Sequence, residues 1–412
     1  VVAVLDTGVR FDHADLQPVA NGGNLLRGYD FVSNDFIAND GQPGRDADAS
    51  DPGDIVTRAA IDDPSNTIGC GPGEITSRSS WHGTETAGLI GATTNNGIGI
   101  AGAGRTVRVL PLRVLGRCGG YDSDIIAAMR WAVGLEVPGV PANPNPARVV
   151  NLSLGGTGSC TGSAYPDAVA ALNAVGAVVV ASAGNSTGHA VSVPANCPGV
   201  IGVAGLRHAG TKVGFSDLGP EISIAAPGGN CVNELTSDPC LYPIATTTNA
   251  GTTAPVAGSS IYSDSFNASF GTSFSAPLVS GTVALMLSAK PTLTPRDVNL
   301  LLQTTARPFP ASGAEVPGES VPECTAPRFV DAGAPVGQLC GVMRPAWQVP
   351  RRAIHTTADG RRLLVVHGDD YDGVTHFGGL QEKFGDWLYY RILTGNHLLN
   401  AARRRLGRRY WS

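Results

Sequence analysis

Gly271-Thr272-Ser273-Phe274-Ser275-Ala276-Pro277 sets a serine two residues after a glycine, at a turn into the apolar helical stretch Ser275–Ser288. A serine there has an ordinary reading as a helix N-cap. Its other reading is a nucleophile seated on a helix N-terminus, where aligned N–H groups favour a developing oxyanion. Two more segments weigh against the ordinary reading. Val4-Leu5-Asp6-Thr7-Gly8-Val9 puts an acidic residue at the carboxyl end of an apolar strand. Trp81-His82-Gly83-Thr84-Glu85-Thr86-Ala87-Gly88 puts a histidine at the start of a small-residue helix. Taken singly, each is a cap, a turn or a structural histidine. Together, a carboxylate, an imidazole and a hydroxyl are the set that nucleophilic acyl transfer requires.

Around these segments, apolar β-branched runs alternate with amphipathic ones. Strands are expected at Val1–Leu5, Val107–Leu115, Arg148–Leu154, Ala177–Ser182, Val200–Ala204 and Ile222–Ala226. Helices are expected at Asp124–Val133, Tyr165–Val175, Ser275–Ser288 and Pro295–Thr304, the last with Thr294 as N-cap and Pro295 as its first residue. Alternation of this kind predicts an α/β fold with a mostly parallel central sheet, and a ligand crevice at the carboxyl ends of its strands.

The composition is that of a core-forming chain: 412 residues, 42% apolar and 15% charged, with 54 glycines. It excludes a disordered chain. No run of 18 uninterrupted apolar residues occurs, so no membrane span is expected. The chain opens inside a strand, so further residues are expected upstream. The net charge of −5 divides unevenly, with +6 in residues 341–412 and −11 in the rest. The Pro/Gly/Ala-rich stretch 307–345 is the expected boundary between a domain at 1–340 and a basic tail at 341–412. Cysteines at 70, 118, 160, 197, 231, 240, 324 and 340 form no C-x-x-C pair. An even count on scattered positions favours disulfides and an oxidising compartment over zinc, with buried free thiols as the plainer alternative.

The three segments, in this order, resemble the D-T-G, H-G-T-H and G-T-S-x-[SA]-x-P signatures of the subtilisin-like serine proteases. His13-Ala14-Asp15-Leu16, Asn151-Leu152-Ser153-Leu154-Gly155-Gly156 and Ala181-Ser182-Ala183-Gly184-Asn185 resemble further segments of that family, and the likeness runs from residue 1 to about 340. It implies the three-layer subtilisin-like fold and a secreted serine endopeptidase acting on polypeptides. By the same resemblance Ser273 is the nucleophile, His82 the base and Asp6 its orienting carboxylate. Asn185 donates to the oxyanion. Ser153, Leu154, Gly155 and Gly156 would face an extended substrate, with Ser182, Ala183 and Gly184 as the opposite wall. The cysteine-containing form resembles the calcium-dependent bacterial branch. Asp46, Asp48, Asp51 and Asp54 in an aspartate-rich loop are hard oxygen donors suited to a structural Ca²⁺, against the plainer reading of a solvated acidic turn. A monomer with no nucleic-acid partner is expected.

The pattern is broken in places. The second histidine of H-G-T-H is Glu85, whose plain reading is a first-turn partner of the helix dipole. The family's leading helix and its closing C-terminal motif are missing. Residues of about 350–412 resemble instead an internal piece of a calcineurin-like metallophosphoesterase of the UDP-diacylglucosamine hydrolase type, through Leu363–Asp372 with His367, Asp369 and Asp372. One such histidine cannot build a two-metal site. The tail is therefore expected to be irregular or helical and inert, against the plainer reading of a basic amphipathic helical extension, Trp387–Trp411, lying on a surface or membrane. The alternatives to a working peptidase are a catalytically impaired protease-fold module fused to this fragment, and a metallophosphoesterase.

Overall fold

Val2–Asp6, the first strand (β1), alternates its side chains across a sheet, as the two-residue period of a strand requires. Ala3 and Leu5 enter one apolar cluster, Val2 and Val4 another. A computed structural model describes residues 1–208, 210–231, 239–306 and 309, and the backbone of 352–356 and 362–366. β1 is joined in one sheet by β2 (Tyr29–Asp30), β3 (Val109–Arg113), β4 (Val149–Leu152), β5 (Val178–Ser182), β6 (Val200–Leu206) and β7 (Ile222–Pro227). The order is β2-β3-β1-β4-β5-β6-β7 and every pair is parallel. The strands expected from sequence are present with trimmed or shifted ends, and β2, two residues long, had no pattern to announce it.

Helices cover both faces, giving three layers. The described helices are α1 (Asp35–Ala38), α2 (Arg58–Ile61), α3 (His82–Gly91), α4 (Asp122–Ala132), α5 (Tyr165–Ala174), α6 (Thr272–Ala289) and α7 (Pro295–Thr305). α4 and α5 cover the Leu5 face with Ile125, Met129, Val169 and Leu172. α3, α6 and α7 cover the Val4 face with Ile90, Val279, Val283 and Val298. Each such side chain contributes about 1.5–3 kcal/mol when fully buried. The Thr294–Asp297 capping box and Pro295 start α7 as the sequence suggests. α6 is long and apolar enough to cross a bilayer, but two thirds of it is buried against the sheet.

The chain runs from β1 to β3 on one side and places β4 on the other. The loops after β1 and β4 therefore diverge, and a crevice opens at the carboxyl ends of the strands. A short antiparallel pair, β8 (Thr247–Thr248) with β9 (Ile261–Tyr262), packs β8 beside α3. Disulfides join Cys70 to Cys118, Cys160 to Cys197 and Cys231 to Cys240. Cys324 and Cys340 lie outside the described residues.

Two compact units divide at Trp347–Gln348. In the second, β10 (Arg352–Thr356) and β11 (Arg362–Val366) pair antiparallel. This departs from the irregular or helical tail expected there: strand pairing depends on partners six to fourteen residues away, which a local reading for helix does not weigh. His367, Asp369, Asp372 and Trp387–Trp411 lie outside the described residues.

Candidate active site

Three elements deliver the three chemical groups. Asp6 ends β1, His82 begins α3, and Ser273 is the second residue of α6. Asp6 is buried, and its Oδ1 accepts hydrogen bonds from His82 Nδ1 at 2.7 Å and from the Thr7 amide at 2.8 Å. Thr86 Oγ1 donates to the other carboxylate oxygen at 3.1 Å. The carboxylate is thus held in place, and it holds the imidazole with Nε2 left for the cleft. Burial works against the charged imidazole, but Asp6 outweighs it, helped by Glu85 and Asp54, so His82 sits above the ordinary histidine range.

The helix carrying His82 is seated tightly. Trp81, just before it, is buried and left-handed at φ 53°, a strained conformation for a bulky residue, and its indole N–H donates to the Gly251 carbonyl at 2.8 Å. Gly83 packs against the D-T-G turn: a Cβ there would run into the Gly8 carbonyl oxygen and lie 3.1 Å from the Asp6 Cβ. Alanine normally favours a helix over glycine by about 1 kcal/mol. Here the overlap, of the kind that costs about 1–3 kcal/mol, opposes that gain. Gly83→Ala is therefore expected to lower the thermal unfolding midpoint and to weaken activity by moving His82 off Asp6. An unchanged midpoint with full activity would show that the turn gives way freely.

Ser273 and His82 line the same cleft, of about 680 Å³. In this structure Ser273 Oγ donates to the Ser153 carbonyl at 3.2 Å, so the hydroxyl is turned toward β4's loop. Gly271, at φ 143°, makes the turn into α6 in a conformation that suits glycine. Pro277 has no N–H with which to bond the Ser273 carbonyl four residues back. Ser153 Oγ supplies the missing donor at 2.7 Å, so the two serines are cross-linked twice. Asn185 is oriented by its oxygen. Oδ1 accepts from the Thr272 amide at 2.9 Å and from Thr272 Oγ1 at 3.0 Å, which leaves the Nδ2 hydrogens for another acceptor.

The walls differ in detail from the sequence reading. Ser153, Leu154, Gly155, Gly156, Ser182 and Gly184 line the cleft, whereas Ala183 is fully buried behind it. Its amide donates to Val203 and its carbonyl accepts from Ser192. Gly156 pairs with Val193 in both directions, which closes the far end of that edge. Sequence reasoning missed Ser192 and the wall of Leu115, Gly116, Cys118, Gly119 and Gly120, which Cys118 anchors through its disulfide. No chemical signal marks those small residues.

Of the four aspartates proposed for calcium, Asp46, Asp48 and Asp51 line one small pocket with Asp40, and Asp54 lies elsewhere. Asp46 accepts from the Asp48 amide and Asp48 from the Ser50 amide, both two residues on, as in ordinary Asx turns. Asp51 is buried, with its oxygens taken by Thr7 Oγ1 and the Gly53 amide. Burial, with Asp54 nearby, pushes its carboxyl up to about 7. Asp54 binds the amide and hydroxyl of Ser80 and lines the cleft instead. Among the described residues no three acidic, histidine or cysteine side chains are grouped to hold a metal ion. Asp51 and Thr7 brace the turn after Asp6, a role that a reading by residue type takes for metal binding.

Comparison with known proteins bears on this geometry. Residues 1–333 match the family described as the Subtilase family, Peptidase_S8. The chain is 45% identical over 314 residues to an extracellular protease of Xanthomonas campestris pv. campestris, covering 76% of this chain and 48% of that protein. It is 39% identical over 317 residues to an extracellular basic protease of Dichelobacter nodosus, covering 74% and 47%. The chain thus spans about half the length of the curated relatives it matches. A solved protease of Pseudoalteromonas arctica superposes with a TM-score of 0.67 at 42% identity, over 81% of this chain and 89% of that one. Residues 350–412, read above as phosphoesterase-like, lie beyond the matched family span. With its parallel sheet, its Asp6–His82 pair and Ser273 on the same cleft, the chain belongs to the subtilase family.

Proposed function

We propose that this chain hydrolyses peptide bonds within polypeptides, with Ser273 as nucleophile, His82 as general base and then acid, and Asp6 as its partner. The observation that carries this reading is the 2.7 Å Asp6–His82 bond opening on the cleft that also holds Ser273. An extended peptide would lie along Ser153–Gly155 by strand addition. The Ser273 hydroxyl would turn from the Ser153 carbonyl to Nε2 of His82. Its oxygen would attack the scissile carbonyl carbon while its proton passes to the imidazole. The negative oxygen of the tetrahedral intermediate would be met by Asn185 Nδ2 and the Ser273 amide at the start of α6. Return of the proton to the leaving amine would break the C–N bond, and water would repeat the sequence on the acyl ester.

Three disulfides and the names of the relatives support an extracellular site of action. Subtilases are generally calcium-binding. The aspartate loop does not fit that role as a set, and no step above runs through an ion. The division into a peptidase domain at 1–340 and a tail at 341–412 remains part of this proposal, as does a monomeric state. The direct test is a serine-acylating probe on the whole chain, followed by peptide mass mapping. Stoichiometric label at Ser273, absent after heat denaturation, is expected. A native protein that takes no label would be an inert protease-fold module.

A further inference from the structure

Glu85 lies in the first turn of α3, three residues after His82, so its side chain emerges on the same side of the helix. It is 8% exposed, and a carboxylate that deeply buried needs partners. The plain reading, a partner for the helix dipole, calls for no burial. Hydroxyl-bearing Thr248, on β8, and Ser269, four residues before Ser273, lie near enough to the carboxylate to favour its ionised form. Thr248 and Ser269 are themselves 1% and 4% exposed. β8 and the residue before it are seated on α3 by two bonds, from Thr246 Oγ1 to the Glu85 carbonyl and from Thr247 Oγ1 to that of Thr84. Glu85 therefore stands where the helix bearing the base meets the segment that leads to the nucleophile.

Taking the catalytic assignment above as given, we propose that Glu85 is a positioning residue acting through His82: a second buried carboxylate, one helical turn from the imidazole, that favours its protonated form. The titratable groups facing it are His82 on its own helix and Asp6 from β1, while β8 and the Ser269 segment bring hydroxyls. Burial raises the Glu85 carboxyl, and His82 and the two hydroxyls pull it back only in part, leaving it at about 7. It thus gains or loses its charge where a serine peptidase works. When ionised, it attracts the imidazolium together with Asp6, and when neutral it leaves Asp6 to do so alone.

The sign follows. A nearby anion raises an imidazole pKa, so removing the charge lowers it. The test is the titration of the His82 ring followed by NMR in the Ser273→Ala protein, which needs no turnover. Glu85→Gln is expected to move that titration down by about half a pH unit or more, a threefold change in the proton equilibrium. Glu85→Asp, which keeps the charge, should return it most of the way. In the protein with Ser273 intact, the acid limb of kcat/KM should move to lower pH by the same amount. A purely structural Glu85 would lower stability and overall rate and leave both titrations in place, and that result would overturn the proposal. Should Glu85→Gln not fold, Ser269→Ala, which removes a hydroxyl that favours the ionised form, is expected to shift the ring titration in the same direction, and no shift there overturns it equally. Absence of probe label at Ser273 would defeat the catalytic reading but leaves the NMR outcome free to decide the role of Glu85.

Discussion

Ser273→Ala is expected to remove peptidase activity almost completely, with kcat falling on the order of 10⁶-fold, the size seen for a triad nucleophile in a related enzyme. The residue sits on the surface of the cleft, at the start of a helix whose core contacts are made by Phe274, Ala276, Val279 and Val283. Losing one oxygen removes its 3.2 Å bond to the Ser153 carbonyl but leaves the Ser153 bond to the Ser273 carbonyl in place. Stability should therefore change little, because one exposed-side hydrogen bond contributes about 1 kcal/mol. The residual rate, still above that in water, would come from Asn185, the α6 amides and the substrate strand. Casein hydrolysis with parallel thermal unfolding separates the two effects. Activity within about tenfold of the parent would end the assignment.

Asp6→Asn is the second large effect, about 10⁴-fold in kcat with KM nearly unchanged. The structure indicates why the cause would be electrostatic rather than steric. Oδ1 can remain an oxygen and keep its bonds from His82 and Thr7. The new amide would replace Oδ2, where Thr86 Oγ1 can accept instead of donate. The Thr86 hydroxyl has the Gly83 carbonyl, 3.2 Å away, as an alternative acceptor. The fold can thus absorb the amide, while the imidazolium formed during attack loses the charge that steadies it. Steady-state kinetics on a chromogenic peptide measures this. Should kcat stay within about tenfold while the variant folds normally, Asp6 would be only a structural bolt.

Much of this was legible without coordinates. The strands of the sheet other than β2 are apolar runs whose alternation survives any tertiary detail, and the N-cap at Thr294 carries its own chemistry. Asp6, His82 and Ser273 stood out because each lies in a short run of glycines and small residues that crowd a strand end or a helix start. The aspartate loop was less legible, because residue type and spacing describe donors and not their directions. Asp51 and Asp54 point to Thr7 and Ser80, 44 and 26 residues away in the chain.

The sequence by itself determined the class of fold and singled out the three groups proposed to react and the order in which they occur, because periodicity and local turn chemistry are properties of neighbouring residues. Only the tertiary structure decided the rest. It showed that Pro277 leaves the Ser273 carbonyl to Ser153, that Asn185 is turned by Thr272, that Ala183 is hidden, and that Glu85 is closed in by Thr248 and Ser269. Each of these rests on groups that lie far apart along the chain and meet only when the sheet is assembled. Burial sets the strength of such meetings, and no local stretch of sequence records how deeply it will be buried.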